Sequence, residues 1–234
     1  TLIQSRDIET KANLFATKIT PGCPVIIELT NATSKKIVEN LEVDAVLVAT
    51  GRIPNSEGLN LESVGIKTER GFIPIDYQMR VIKGNKIIPN IWAVGDVTGK
   101  LMLAHTAAAQ GVIAVENICG QTREINYKAI PAATFTHPEI SSVGLSEVEA
   151  KELSEKDNFN LGIVKSYFKA NSKALAELES DGILKLIFNK DTGIVLGAHI
   201  FGLHAADLVQ EIANAIARNQ DVIQLASEIH THPT

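Results

Sequence analysis

The sequence predicts an α/β body followed by a separate α+β domain, and three observations support this fold class. Two apolar runs, residues 44–51 and 91–96, end at or beside a glycine, which is typical of strands buried on both faces of an α/β sheet. An alanine-rich helical segment, 103–119, follows the second run. Beyond residue 129, short strands and then an amphipathic helix over 207–218 favour an α+β sandwich.

The remaining elements of the first half are predicted from local composition. Residues 25–29 are mostly β-branched and lie between a proline and a polar cluster, which predicts a strand with a hairpin after it. Residues 71–81 alternate well enough to predict another strand, closed by a Lys-Gly-Asn turn. The polar residues at 121–128 indicate a domain boundary.

The second half is predicted from capping and turn signals. Ser146 followed by Glu149 forms a capping box that opens a helix running to about residue 155. The Asp and Gly of the turn at 189–193 favour a hairpin between the strands on either side. The strands expected here are residues 131–136, 161–168, 183–189 and 194–201.

Composition limits the functions open to this chain of 234 residues. A net charge of -5 provides no basic field for nucleic acid. Its apolar stretches are much shorter than the roughly 20 residues that cross a bilayer, so we expect no membrane partner. Cys23 and Cys119 lie far apart without metal-ligand spacing, which favours a reducing intracellular compartment. The chain starts at Thr1 and stops just after His-Pro, so we expect a piece of something longer.

The first candidate site combines Asp96 with the start of the alanine-rich helix. Gly95 would let a ligand approach the backbone, and the Asp96 carboxylate could accept hydrogen bonds from a vicinal diol. The helix start near residues 100–105 offers unpaired N–H groups and a positive dipole end to an anion or an electron-rich carbonyl. The alternative for Asp96 is that it only caps a turn.

Two further candidates lie elsewhere in the chain. Gly51 and Arg52, in the motif at 49–55, could border a ligand phosphate at a strand end, or could simply form a tight crossover. His230 and His232 are two residues apart and could face the same side of an extended segment. They could be a surface pair, a metal pair lacking further ligands at a usual spacing, or could include a general base.

Six motifs, taken in order, resemble the flavin-dependent pyridine nucleotide-disulfide oxidoreductases. The doubled His-x-His-Pro-Thr is typical of the members that oxidise dihydrolipoamide, and segments 168–177 and 200–207 resemble their plastid and cyanobacterial type. The six motifs are Ala-Thr-Gly-Arg-x-Pro-Asn at 49–55, Trp-Ala-Val-Gly-Asp-Val at 92–97, Leu-Ala-His-Thr-Ala at 103–107, Phe-Thr-His-Pro-Glu at 135–139, Ser-Val-Gly-Leu-Ser-Glu at 142–147 and His-Thr-His-Pro-Thr at 230–234.

The resemblance implies α/β segments of FAD- and NAD-binding Rossmann-like domains followed by an α+β dimerisation domain. Residues 1–51 would be the C-terminal tail of the NAD-binding domain, 52–122 the returning segment of the FAD-binding domain, and 123–234 the interface domain of a homodimer. The implied partners are lipoyl domains of an acyltransferase complex, with no nucleic acid and no membrane. The implied location is a bacterial or cyanobacterial cytoplasm or the plastid stroma.

The resemblance also assigns roles by position. Asp96 would hold the ribitol of FAD, and the backbone of Ala104 would meet the flavin ring. His232 matches the family's catalytic base, which exchanges protons with the lipoyl thiols beside the partner subunit's flavin. The implied reaction is oxidation of dihydrolipoamide with NAD as acceptor, without a metal. The residues that would lie along NAD are Ala49, Thr50, Gly51 and Arg52.

The sequence departs from the family pattern in three respects. Both glycine fingerprints and the Cys-x4-Cys redox disulfide are absent, and Cys23 and Cys119 do not match those cysteines. The glutamate that would orient His232 is expected a few residues beyond Thr234. We therefore expect the segment by itself to be inactive. The alternatives are another disulfide or mercuric reductase of the family, or a non-catalytic dimerisation module.

Overall fold

The computed structural model describes residue 3 and residues 6–234. The chain divides into two compact units, Thr1–Arg52 and Ile53–Thr234. No helix among the residues described is both long enough and apolar enough to span a bilayer. This division does not test the predicted assignment of residues 1–51, 52–122 and 123–234 to nucleotide-binding and interface domains. That assignment stays a prediction.

The first unit contains a three-stranded antiparallel sheet. Its strands are β1 (Leu14–Thr20), β2 (Val25–Asn31) and β3 (Ile37–Val43), in the order β1-β2-β3. Ile27 and Leu29 of the central strand are buried, so the predicted strand at 25–29 and its hairpin are confirmed. The turn is stabilised by the side chain of Asn31, whose Oδ1 accepts hydrogen bonds from the backbone N–H groups of Thr33 and Ser34.

The predicted buried strand at 44–51 is wrong. The segment has no regular secondary structure and pairs with no strand in the described residues, and Leu47 is 90% exposed. A strand buried on both faces needs hydrogen-bonded neighbours, and its apolar side chains need elements packed over both sides. The apolar run identified a sequence suited to such a place, but the described chain does not supply the surrounding sheet.

The predicted strand at 71–81 is also wrong over most of its length. Pro74 has no N–H to donate to a ladder, and Met79 has a positive φ of 65°. The chain therefore forms only isolated bridges before β4 (Arg80–Lys83), which pairs with β5 (Lys86–Trp92) as a hairpin. Strand β5 starts earlier than the predicted 91–96 strand, and residues 93–96 lie outside its ladder.

Helix α1 (Ala104–Ile118) confirms the predicted alanine-rich helix. Its buried residues Ile113 and Ala114 pack with residues of the preceding segment, including Met79 and Val81. Gly120, at a φ of 89°, follows the Cys119 cap, as expected for a helix C-terminus. This packing fixes the helix against the loop that follows β5.

The second unit also contains a five-stranded antiparallel sheet, in the order β6-β7-β10-β9-β8. All four predicted strands are confirmed, and β7 was not predicted. The strands are β6 (Ala132–Thr134), β7 (Glu139–Gly144), β8 (Leu161–Tyr167), β9 (Ile183–Asn189) and β10 (Val195–Gly202).

Helices cover this sheet and join its strands. The predicted capping box of Ser146 and Glu149 opens α2 (Glu147–Asp157), and the predicted amphipathic helix is α4 (Ala205–Ala217). Val209 and Ile212 of α4 are buried against β7 and β10 in a second apolar cluster. The short helices are α3 (Ser172–Ala176) and α5 (Val222–Ser227).

Candidate active site

The loop after β5 is fastened to helix α1 by one buried amide. The Gly95 backbone N–H donates to Gln110 Oε1 at 2.6 Å, and Gln110 Nε2 donates to the Tyr127 hydroxyl at 2.9 Å. Gln110 is completely buried. Gly95 has φ 82° and ψ -163°, a conformation that favours glycine. The loop geometry is therefore fixed by backbone conformation and by a satisfied polar contact in the core.

Asp96 begins a short 3-10 helix, Asp96–Thr98, on this fastened loop. Its carboxylate is exposed and has no hydrogen-bond partner among the residues that the structure describes. The cap position is taken by Gly95, whose carbonyl accepts from the Thr98 hydroxyl at 2.8 Å. A turn-capping role for the Asp96 side chain is therefore not what the structure shows, and the carboxylate can accept hydrogen bonds from a ligand.

The start of α1 lies eight residues after Asp96 and has unpaired donors. Its cap residue, Leu103, has no side-chain oxygen, so the N–H groups of the first turn lack a side-chain partner. Ala104 is exposed at this end. Within the same turn, the buried Thr106 hydroxyl has no partner in the described part of the chain. A ligand carbonyl or anion would satisfy such a helix end.

These features fit a flavin. The Asp96 carboxylate suits the hydroxyls of a ribitol chain, and the positive end of α1 suits an electron-rich pyrimidine edge. Gly95, the residue before Asp96, carries no side chain. A Cβ at this position would meet Ala107 at an ordinary 3.7 Å, so the glycine is needed for its conformation and not for lack of space.

The predicted NAD-lining residues lie in the first unit. Ala49, Thr50, Gly51 and Arg52 are all exposed, in a segment without regular secondary structure. Gly51 has a φ of 111°, which other residues rarely adopt. Arg52 forms no ion pair with any described carboxylate. The structure thus presents an accessible backbone and guanidinium but does not test their assigned role.

The C-terminal segment, residues 228–234, follows a well-capped helix. Asp221 and Gln224 form a capping box at the start of α5, and the chain leaves that helix at Glu228 in an extended conformation. His232 is exposed, without a hydrogen-bond partner in the described chain. The imidazole is therefore accessible to a substrate or to a second subunit.

His230 differs from His232 because it is held on both ring nitrogens. Its Nε2 lies in hydrogen-bond contact with Glu211 of α4, and its Nδ1 lies 2.9 Å from the Glu228 carbonyl oxygen. The hydrogen bond to the Glu211 carboxylate raises the pKa of His230 above its usual value. Glu211, Glu228 and His230 converge within 4.8 Å, whereas His232 is outside this cluster. The imidazole of His230, which belongs to this cluster, is already used in hydrogen bonds.

Two residues of these sites were not predicted from the sequence: Gln110 and Glu211. Gln110 could have been noticed as a polar residue on the buried face of an alanine-rich helix. Glu211 lies beside the apolar stripe of α4, three residues after Leu208.

Two family models match the chain, and both describe one family. The pyridine nucleotide-disulphide oxidoreductase model matches residues 2–111, and the model of that family's dimerisation domain matches residues 130–234. The chain belongs to the pyridine nucleotide-disulphide oxidoreductase family, and it carries the family's dimerisation domain. Proteins of this family use FAD and NAD.

Individual relatives give a more specific comparison than the family models do. The chain is 61% identical to a dihydrolipoyl dehydrogenase of Synechocystis over all 234 residues, which is 49% of that protein. It is 52% identical to a chloroplastic dihydrolipoyl dehydrogenase of Arabidopsis thaliana, again over the whole chain and over 42% of that protein. The chain thus spans about half the length of the relatives it matches, or somewhat less.

Solved structures agree with the sequence comparison. The crystal structure of LpdA from Mycobacterium tuberculosis is similar over the whole chain and 48% of its own, with a TM-score of 0.85 and 28% identity. A flavoprotein disulfide reductase of Escherichia coli, RclA, matches with a TM-score of 0.82 at 24% identity, which shows a shared fold alone.

Proposed function

We propose that the protein to which this chain belongs is an FAD- and NAD-dependent dihydrolipoyl dehydrogenase, which oxidises dihydrolipoamide with NAD as acceptor. The observation that carries the proposal is the 61% identity to a dihydrolipoyl dehydrogenase along the entire chain. The exposed Asp96 carboxylate, the uncapped start of α1 and the accessible His232 imidazole support it.

Asp96 and Ala104 would hold the flavin. The Asp96 carboxylate would accept hydrogen bonds from ribitol hydroxyls, and the Ala104 N–H would face the pyrimidine edge. When bound, FAD supplies the electron transfer between a dithiol and the nicotinamide cofactor. The Gln110 amide would contribute to flavin binding indirectly, because it holds the backbone of Gly95, the residue before Asp96.

Ala49, Thr50, Gly51 and Arg52 would border NAD. Exposed backbone at Gly51 allows a close approach, and the Arg52 guanidinium can pair with a phosphate. This role is independent of the flavin contacts, because a different segment of the chain provides it.

His232 would be the base that accepts and returns the proton of a lipoyl thiol. An imidazole has a pKa close to physiological pH, so it can exchange protons in both directions. Its exposure, together with the dimerisation domain, is what a base serving the partner subunit requires. We propose a homodimer formed through residues 123–234, with lipoyl domains of an acyltransferase complex as the electron donor in a bacterial cytoplasm or plastid stroma.

The proposal is tested by assaying the purified full-length protein with three thiol or metal substrates. We expect flavin absorbance and NAD-dependent oxidation of dihydrolipoamide, with no comparable turnover of NADPH-linked glutathione disulfide or mercuric ion. Preferential turnover of glutathione disulfide or mercuric ion would show that the proposed substrate is wrong, while the assignment to the family would stand. A colourless, inactive dimer would instead favour the dimerisation-module alternative.

A further inference from the structure

The segment that carries His232 is fastened at two points, one on each side of that residue. On the N-terminal side, the His230 imidazole contacts the Glu211 carboxylate of α4. On the C-terminal side, the Asn171 amide Nδ2 donates to the Thr234 carbonyl oxygen at 2.7 Å. Each contact lies two residues from His232 along the chain. The base itself is left without a partner among the residues described.

Glu211 is attached to a rigid support. Helix α4 spans 13 residues, and its buried side chains pack into the main apolar cluster of the five-stranded sheet. The side chain of Glu211 is 35% exposed and that of His230 is 45% exposed, so the pair is partly shielded from water. Because α4 is packed against the sheet, the contact with Glu211 holds the C-terminal segment in a fixed position relative to the sheet.

Asn171 is held as firmly on the other side. Its Oδ1 accepts from the Ala174 N–H at 2.9 Å and caps α3, which orients the amide and leaves Nδ2 for Thr234. The preceding Phe168 packs on two glycines, Gly182 and Gly202, where a Cβ would come within 2.5 and 2.7 Å of its ring. These glycines fix the ring and thereby the loop that carries Asn171.

We propose that Glu211, acting through His230, and Asn171 are positioning residues that hold the His232 imidazole where proton transfer occurs; this inference rests on the proposed function. Between its two anchors the segment is only five residues long, so fixing both ends removes most of its conformational freedom. Proton transfer depends steeply on geometry, and a misplacement of about 1 Å can reduce the rate by about 100-fold.

The test compares variants of the full-length flavoprotein in two reactions. Glu211→Ala removes the first anchor, and Asn171→Ser removes the second while keeping a good helix cap. Dihydrolipoamide oxidation requires the base, whereas electron transfer from NADH to ferricyanide requires the flavin but no thiol proton. The matched controls are Glu152→Ala, an exposed carboxylate on α2, and Asn214→Ser, an exposed amide on α4.

We expect kcat for dihydrolipoamide to fall by about 10- to 100-fold in each anchor variant, with ferricyanide reduction retained. Glu211→Gln, which keeps an acceptor oxygen, should recover part of the loss. Because Glu211 and His230 act as one contact, adding His230→Ala to Glu211→Ala should cost little more. Reaction of His232 with diethyl pyrocarbonate, followed by mass spectrometry, should change in rate in the anchor variants and not in the controls.

The inference is wrong if both anchor variants keep wild-type turnover of dihydrolipoamide, or if they lose both reactions together, which would indicate damage to the fold or the flavin site. His232→Gln separates this failure from that of the proposed function. If His232→Gln is inactive with dihydrolipoamide while the anchor variants are normal, only the positioning role is lost. If His232→Gln is itself fully active, the proposed role of the base fails first.

Discussion

At the scale of single residues, Gln110 has the most consequential contacts in the candidate flavin site. It is the only completely buried glutamine in the described chain, and its amide joins the Gly95 backbone to the Tyr127 hydroxyl. Burial raises the pKa of Tyr127, so the group that accepts the hydrogen bond from the Gln110 amide is a neutral hydroxyl. The loop that presents Asp96 therefore depends on a residue that would not touch the flavin.

We predict that Gln110→Leu destabilises the protein and weakens flavin binding. An apolar side chain of similar size leaves the Gly95 N–H without a partner, which costs about 1–3 kcal/mol of unfolding free energy. Urea unfolding of the flavin-free protein measures this change, and flavin titration measures the accompanying loss of affinity. Gln210→Leu, on the exposed face of α4, is the control and should alter neither. Equal stability of Gln110→Leu and wild type would show that the amide does not fasten the loop.

The sequence predicted Asp96, Ala104 and His232 as candidates but could not predict what holds them. A strand end, a helix start and a histidine pair are local features of the sequence, and the resemblance to the family singled out Ala104 and His232 among them. Gln110 is 15 residues from Gly95, and Glu211 is 19 residues from His230. Such pairs become evident only when the packing of α1 and α4 is known.

At the scale of elements, the Glu147 carboxylate forms an ion pair between helix α2 and the sheet. Glu147 contacts Lys151 at 2.7 Å on the same helix and Lys185 of β9 at 2.9 Å. The hydrogen bond from Lys151, then that from Lys185, lowers the pKa of Glu147 to about 2. Because this carboxyl is more acidic in the folded protein than in the unfolded chain, its charge favours the folded state.

We predict that Glu147→Gln lowers the melting temperature at pH 7 and that the difference disappears in acid. The stabilisation is fully present above the unfolded pKa of about 4.5 and is lost as the pH falls through the folded pKa of about 2. Thermal unfolding at pH 7, 4 and 2.5 measures the difference. Glu152→Gln, on the same helix, provides the control. A difference that persists unchanged at pH 2.5 would mean that packing, and not charge, connects α2 to the sheet.

The elements of the second half were predicted better than those of the first for a physical reason. Strands β9 and β10 pair through a short turn, and Ser146 caps its own helix, so the information lies close together in the chain. The run at 44–51 is different, because a strand buried on both faces depends on distant neighbours. The error at 71–81 had a local warning in Pro74, which cannot donate to a ladder.

At the scale of the whole molecule, the chain combines two candidate cofactor segments with a dimerisation domain. Under the proposed function, Asp96 and the start of α1 would contact the flavin, and the exposed residues near Gly51 would border NAD. His232 lies within residues 130–234, which match the family's dimerisation domain. In the proposed function His232 is the base, and its exposure is consistent with our proposal that it serves the partner subunit of a homodimer.

The most direct test of this account is the substitution His232→Gln in the full-length flavoprotein, assayed with dihydrolipoamide and NAD. The loss of a positioned general base costs about 100- to 10,000-fold in rate. We predict a fall in kcat of this size, with flavin absorbance and NADH-to-ferricyanide electron transfer unchanged. Turnover of dihydrolipoamide at the wild-type rate by this variant would contradict the account.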